Sequence, residues 1–352
     1  HYLFAMVIWV VGSCLLVLSA IYYTFLVLKF SQLSFTDRVL AWKQAGSIFK
    51  WKSPKGQICD IFYRDSSPGE KNKPILLLLH GFPTSSWDWN EVWEPFCQRN
   101  WRIIAPDFLG FGFSSKPTSK SLYKDSIVMQ ADIMEQLLIQ LTGSENPSAY
   151  ILAHDYGDSV AQELLCRSES ENQILKVRSV CYLNGGMIPG VHKPVRIQKI
   201  LESPIGFLVS KLMNRGSFGS RFSAIFGKKP STQELDEHWT IIQYNGGKKI
   251  QHCLISYMAE RIRNKEKWVK ILASSSVPQC LIDGPFDPVS GKHLAEAVAE
   301  QWNNNISESG EFKKGVNAVS LLPSQFGHYP QLECSSMVIS RFYNFMDANF
   351  KI

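Results

Sequence analysis

Short, unbroken apolar runs recur along the chain, separated by stretches with helical spacing. Pro74 to Leu79 is apolar throughout, as expected of a strand buried on both faces. Trp101 to Ala105, Ile151 to Ala153, Val177 to Leu183, Val277 to Ile282 and Ala318 to Leu322 predict further strands. Ser47 to Trp51 and Gln57 to Tyr63 flank a Pro54-Lys55-Gly56 turn and predict a pair at the start of the folded part. Helical spacing covers Ile127 to Leu141, Val160 to Cys166, Gly291 to Trp302 and about Ser336 to Asn349. Strands alternating with helices predict an α/β fold, a mostly parallel sheet covered on both faces.

The alternation breaks once. Between Asn184 and Val277 lie about 90 residues, where a plain strand-helix-strand connection needs about 30. Gln198 to Met213, Thr232 to Gln243 and Ile250 to Arg263 have helical patterns there. The expected organisation is a core of residues 45–186 and 271–352, with residues 187–270 inserted as a helical cap.

Tyr2 to Leu28 carries no charged residue. As a helix this run would rise about 40 Å, enough to span a bilayer core of about 30 Å with tilt. A signal peptide has a shorter apolar region and a small-residue cleavage site, which is not found here. Residues 1–30 are therefore expected to be a transmembrane anchor. Lys29, Arg38 and Lys43 follow the run, opposed by Asp37, so the positive-inside rule predicts a cytoplasmic-facing catalytic part.

Composition narrows the function. Hydrophobic residues make up 45% of the chain and charged residues 19%, as in a folded protein. The net charge of +6 comes from scattered basic residues, with no basic stripe, zinc-ligand spacing or RNA motif. No nucleic-acid partner, metal or cofactor is expected. Of the eight cysteines none forms a Cys-x-x-Cys pair, which suits reduced thiols.

The chemistry centres on Ala153-His154-Asp155-Tyr156-Gly157, between a strand and a helix. Small-x-nucleophile-x-Gly is the spacing of a nucleophile elbow, a sharp turn that lifts one side chain above a sheet. Aspartate at the apex is already ionised and needs no base to become a nucleophile. The same turn also suits an Asp that merely caps a helix. Asp287 and His328 complete an order of nucleophile, acid and histidine, each following a strand.

Taken with His80-Gly81-Phe82-Pro83-Thr84-Ser85-Ser86, Asp107-Phe108-Leu109-Gly110-Phe111-Gly112-Phe113-Ser114, Leu183-Asn184-Gly185-Gly186 and His328-Tyr329-Pro330-Gln331-Leu332-Glu333, the chain resembles the α/β-hydrolase superfamily, epoxide hydrolase and haloalkane dehalogenase branch. The resemblance implies an α/β-hydrolase fold with an eight-stranded sheet and an endoplasmic-reticulum membrane location. It also implies that Asp155 forms an alkyl-enzyme ester, which water activated by His328 hydrolyses while Asp287 orients the imidazole. The Phe82 and Tyr156 N–H groups would form the oxyanion hole. Asp283 is a weaker substitute for Asp287, and Asn184, an amide, cannot serve as a charged orienter.

Tyr257, His80 and Trp87 are expected at the substrate, although His80 and His154 also suit turn-stabilising roles and Trp87, Trp89 and Trp93 packing roles. Dehalogenases of the branch place Trp after the nucleophile; Tyr156 disfavours that activity. Epoxide hydrolases present two cap tyrosines. Tyr257 matches the second, Tyr244 lacks a matching context, and Lys193 to Met213 contains no tyrosine. The expected substrate is small, apolar or lipid-like, with an epoxide the leading candidate. The alternative is a non-catalytic binding or scaffold protein on the same fold.

Overall fold

The computed structural model describes residues 16–19, 22, 34–304 and 306–351. The expected anchor, Tyr2 to Leu28, lies almost wholly outside them. Among the described residues no helix is long and apolar enough to cross a membrane.

The core is one sheet of nine strands: β1 (Gly46–Lys52), β2 (Ile58–Asp65), β3 (Ile75–Leu79), β4 (Arg102–Pro106), β5 (Ser148–His154), β6 (Lys176–Leu183), β7 (Gln279–Asp283), β8 (Ile306–Ser307) and β9 (Ala318–Leu321). Their order is β1-β2-β4-β3-β5-β6-β7-β9-β8. β2 runs antiparallel to β1 and β4, and the remaining pairs are parallel. The expectation of eight strands is corrected by β8. Its two residues pair only with Val319 and Ser320 of β9, too short a run to leave a pattern.

Along β3, Leu77 and Leu79 join Ile151 and Ala153 of β5 in one hydrophobic cluster, while Leu76 and Leu78 join Leu152 in the other. Alternate residues thus fill layers on opposite faces, which is why these strands read as continuous apolar runs. Each fully buried leucine contributes roughly 1.5–3 kcal/mol.

The segment between β6 and β7 is helical: Arg196–Glu202, Gly206–Leu212, Arg215–Ser223, Thr232–Gln243, Gln251–Leu254, Tyr257–Arg263 and Lys265–Ser274. The expected single helix over Gln198 to Met213 is two helices. Ser203 is extended, and Pro204 has no N–H to continue the ladder. Phe218, Phe222, Phe226, Leu235, Trp239 and Ile242 form a further cluster here, into which Tyr329 from the core inserts. Its ring stacks on Phe226 at 4.9 Å.

Register aligns the strand ends. Leu79 sits opposite Ala153, His154 opposite Leu183, and Asp283 opposite Leu321. The loops after β3, β5, β6, β7 and β9 therefore emerge together at the carboxyl edge, where open α/β sheets bind ligands.

Candidate active site

Asp155 is the first residue after β5 and immediately precedes the helix Tyr156–Ser168. Its φ of 48° and ψ of −101° are strained for a residue with a side chain. Close packing holds the turn there. A Cβ on Gly157 would run into the Leu79 carbonyl, and one on Gly185 into the Asp158 carboxylate. The Asp155 side chain is buried yet borders a cavity of about 440 Å³. The Phe82 N–H donates to its Oδ2 at 3.0 Å.

His328, in the loop after β9, lines the same cavity. Its Nδ1 stands 2.6 Å from Oδ2 of Asp287, in the loop after β7. Asp287 is pinned in turn by the N–H groups of Val289 and Ser290, by the Ser290 hydroxyl at 2.8 Å, and by the Asn184 amide at 3.3 Å. The His328 N–H donates to the Ile225 carbonyl at 3.0 Å, tying the loop to the cap. Glu333 makes a second tie, accepting from Gly227, Lys228, Gly327 and Tyr329 N–H.

The charges are set by neighbours acting against burial. Burial disfavours an ionised Asp155, but Arg261, His328, His154 and the Phe82 N–H outweigh it and hold the carboxyl below its usual range. Burial works against a charged His328 as well; Asp287, by charge and hydrogen bond, and Asp155 lift it to about 8. Asp287 stays ionised through His328 and its N–H donors despite burial. Asp158 and Asp283 are pushed well up by burial, with the nearby Asp155 and Asp287 carboxylates adding to the shift.

Arg261 was not legible as a site residue. It lies on the cap helix Tyr257–Arg263, buried; its Nε donates to Ser159 Oγ at 2.6 Å and its Nη2 to the Asp155 carbonyl at 2.9 Å. Nη2 is also 3.8 Å from Asp155 Oδ1. A Cβ on Gly186 would collide with this guanidinium, so the Gly185-Gly186 pair makes room for the buried Asp158 carboxyl and the Arg261 side chain. Tyr257, Glu260 and Arg261 are spaced i, i+3, i+4 on one helix face, which was the available signal.

The remaining expected residues divide. Tyr257 is fully buried behind the cavity wall: its hydroxyl accepts from Gln198 Nε2 at 3.4 Å, and its ring contacts Phe82 and Tyr156. Gln198 itself lines the cavity. The Tyr156 ring packs on Phe108 and Phe111. Tyr244 lies elsewhere, its hydroxyl accepting from Lys43 at 3.2 Å.

His80 and Trp87 are corrected. His80 has both ring nitrogens engaged, Nδ1 with the Gly81 carbonyl and Nε2 with the Phe108 N–H, and burial lowers it to about 3. It is a neutral brace between two loops. Trp87 packs edge-on to Trp42 with Arg38 over its ring, away from the cavity.

The cavity wall is almost wholly apolar, from Ile197, Leu201, Met213, Phe218, Phe222 and Val289. An aspartate on a strained turn after the fifth strand, an Asp-His pair from later strand ends and a lid of inserted helices define a hydrolase of the α/β class. The chain belongs to the α/β-hydrolase family, whose alpha/beta hydrolase fold matches residues 74–187. It is 37% identical over 316 residues to the mouse mesoderm-specific transcript protein, covering 88% of each chain, and equally so to the human homologue. Among solved structures it resembles the haloalkane dehalogenase DbeA of Bradyrhizobium elkani, with a TM-score of 0.62, 22% identity and coverage of 85% of this chain and 96% of that one. A bromoperoxidase of Bacillus anthracis superposes with a TM-score of 0.64 at 17% identity, covering 86% and 99%.

Proposed function

We propose that the protein is a membrane-anchored hydrolase that opens a small apolar or lipid-like epoxide through an aspartyl ester. The Asp155 carboxylate attacks a ring carbon, the carbon–oxygen bond breaks, and the released alkoxide takes up a proton. The His328 imidazolium, which borders the cavity, supplies that proton in this reading and is left as the neutral base, while Tyr257 accepts from Gln198 behind the cavity wall. His328, oriented by Asp287, then deprotonates a water that adds to the ester carbonyl. The oxyanion is received by N–H groups of Phe82 and Tyr156, the latter at a helix start where N–H groups lack partners within the helix. Collapse frees the diol and regenerates the carboxylate. Residues 2–28 anchor the chain in the endoplasmic-reticulum membrane, with the catalytic part cytoplasmic-facing.

The observation that carries this reading is that Asp155 and the Asp287-paired His328 border one apolar cavity. Multiple turnovers with an apolar epoxide in ¹⁸O-water should place label in the Asp155 carboxylate, because water attacks the ester carbonyl. Asp155→Ala should abolish turnover. Turnover without label would sink the aspartyl ester.

One observation favours a second reading, a binding protein without turnover. Among the residues lining the cavity there is no tyrosine, so no phenol faces the substrate directly. If Asp155→Ala retains the full cellular phenotype, that reading holds.

A further inference from the structure

Sixteen large hydrophobic residues are exposed among the described residues, and five of them fall within 200–212 of the cap: Ile200, Ile205, Phe207, Leu208 and Leu212. Single exposed hydrophobics are ordinary, but a cluster on adjoining helices marks an interaction surface. The helix Gly206–Leu212 is built outside-in. It buries Gly206 and Ser210 and exposes Phe207, Leu208 and Leu212. Leu208 and Leu212 are spaced i, i+4, and Ile205 precedes Leu208 by three, so they form one outward stripe.

The surroundings specify the partner. From Lys193 to Arg221 there are six basic residues, Lys193, Arg196, Lys199, Lys211, Arg215 and Arg221, against one acidic, Glu202; Arg215 is paired with Asp236, and the other five are exposed. Lys211 sits with its ammonium 5.7 Å from the Phe207 ring centre, a cation beside the apolar stripe. An apolar stripe rimmed by lysine and arginine is the pattern of a helix lying in the interface of an anionic bilayer.

Two further observations agree with a membrane on this side of the cap. The chain that follows the apolar run of 2–28 docks on the cap: Phe35 packs on Tyr244, and the Thr36 hydroxyl donates to Glu237 at 2.8 Å. Tyr244 opens the cap segment Tyr244–Ile250, whose Lys248 Nζ donates to the Met213 carbonyl at the end of the stripe. The helix Arg196–Glu202 also has two sides. Ile200 faces out, while Ile197, Gln198 and Leu201 line the cavity above Asp155.

We propose that residues 200–212 of the cap insert shallowly into an anionic lipid surface, so that a lipid-borne substrate enters the cavity from the bilayer. The tether rests on the anchor reading of residues 2–28; the docking does not depend on turnover.

The test uses the full chain in phosphatidylcholine vesicles with and without phosphatidylserine, carrying a lipid with a photoactivatable acyl chain, and maps crosslinks by mass spectrometry. Crosslinks are expected in 200–212, separate from those in 2–28, and increased by phosphatidylserine. Phe207→Glu combined with Leu208→Glu and Leu212→Glu should cut the cap crosslinks by about tenfold, as expected when apolar insertion is lost. Because the three side chains are exposed, the melting temperature of that variant should hold. Crosslinks confined to 2–28, or crosslinks joining 200–212 of two protein copies instead of lipid, would overturn the proposal. Absence of crosslinks in 2–28 would instead remove the anchor reading, and an inactive but lipid-crosslinked protein would remove only the hydrolase reading.

Discussion

The Nη2 of Arg261 donates to the backbone carbonyl of Asp155 at 2.9 Å and stands 3.8 Å from the carboxylate of the same residue. A cap residue thus grips the turn that carries the proposed nucleophile. Of the groups that hold Asp155 ionised against burial, Arg261 contributes most. Arg261→Met should raise the Asp155 pKa and slow ester formation near neutral pH, with partial recovery as pH rises. Each unit of upward shift past the working pH costs about tenfold in the ionised fraction. Arg261→Lys should retain part of the rate, since it keeps a charge but loses the paired geometry. The pH profile of the single-turnover burst, followed by the mass of the adduct, checks this. A profile unchanged in Arg261→Met would refute the electrostatic role.

His328 is lifted to about 8 chiefly by Asp287, so in the resting state it is mostly protonated at neutral pH. Ester formation removes the Asp155 charge, one of the groups that raise His328, and so favours the neutral base when water must be activated. Hydrolysis of the ester should therefore titrate below about 8. Asp287→Asn should make the ester accumulate, with hydrolysis slowed by roughly 10²–10⁴, the usual range for an impaired general base. Intact-protein mass spectrometry reads the adduct directly.

The same pair predicts a stability trend. The folded pKa of His328 lies above the unfolded value of about 6.5, so its contribution is fully present below about 6.5 and is lost as pH rises through about 8. A shift of this size is worth at most about 2 kcal/mol. Denaturant melts of the wild type and His328→Gln between pH 6 and 9, with flanking values set by about one unit beyond each pKa, should converge at the alkaline end. Parallel curves would contradict the assignment.

What the sequence revealed follows from the range of each interaction. β3 and β5 were legible because burial on both faces leaves continuous apolar runs, and Asp155, Asp287 and His328 because each sits just past such a run. Helix boundaries in the cap were blurred where Pro204 divides one apolar pattern between two helices. The role of Arg261 was hidden because its partner Asp155 lies 106 residues away. His80 carries a residue type that invites a catalytic reading, and only its two hydrogen bonds reveal a brace. Asn184 reads as a failed acid in sequence; in space its amide helps to fix the acid that His328 uses.

Glu260 offers a test of the cap's attachment. Its carboxylate accepts from the N–H groups of Ile127 and Val128 and from the Ser126 hydroxyl, capping the helix Ser126–Thr142 from across the core–cap boundary. Glu260→Ala leaves these buried donors without this acceptor and should cost roughly 1–3 kcal/mol. The helix next to Arg261 should loosen with it. Hydrogen exchange at residues 126–129 and 257–263 should accelerate together, whereas acceleration at 126–129 alone would show that the cap is held by other contacts.

Leu201 sets the reach of the cavity. It is buried, on the inner side of the helix Arg196–Glu202, and lines the space above Asp155 with Ile197 and Phe222. Replacing it by Trp adds bulk to a cavity of about 440 Å³ without touching Asp155, Asp287 or His328. If long apolar chains bind there, each buried methylene contributes about 0.8 kcal/mol, so kcat/KM should climb along a homologous series of epoxides in the wild type. In Leu201→Trp the climb should stop at shorter chains, while the shortest substrates keep their rate because the reacting groups are unmoved. A uniform loss across the series would mean that the tryptophan disturbs the Asp155 turn, and an unchanged series would mean that the chain leaves the site by another route.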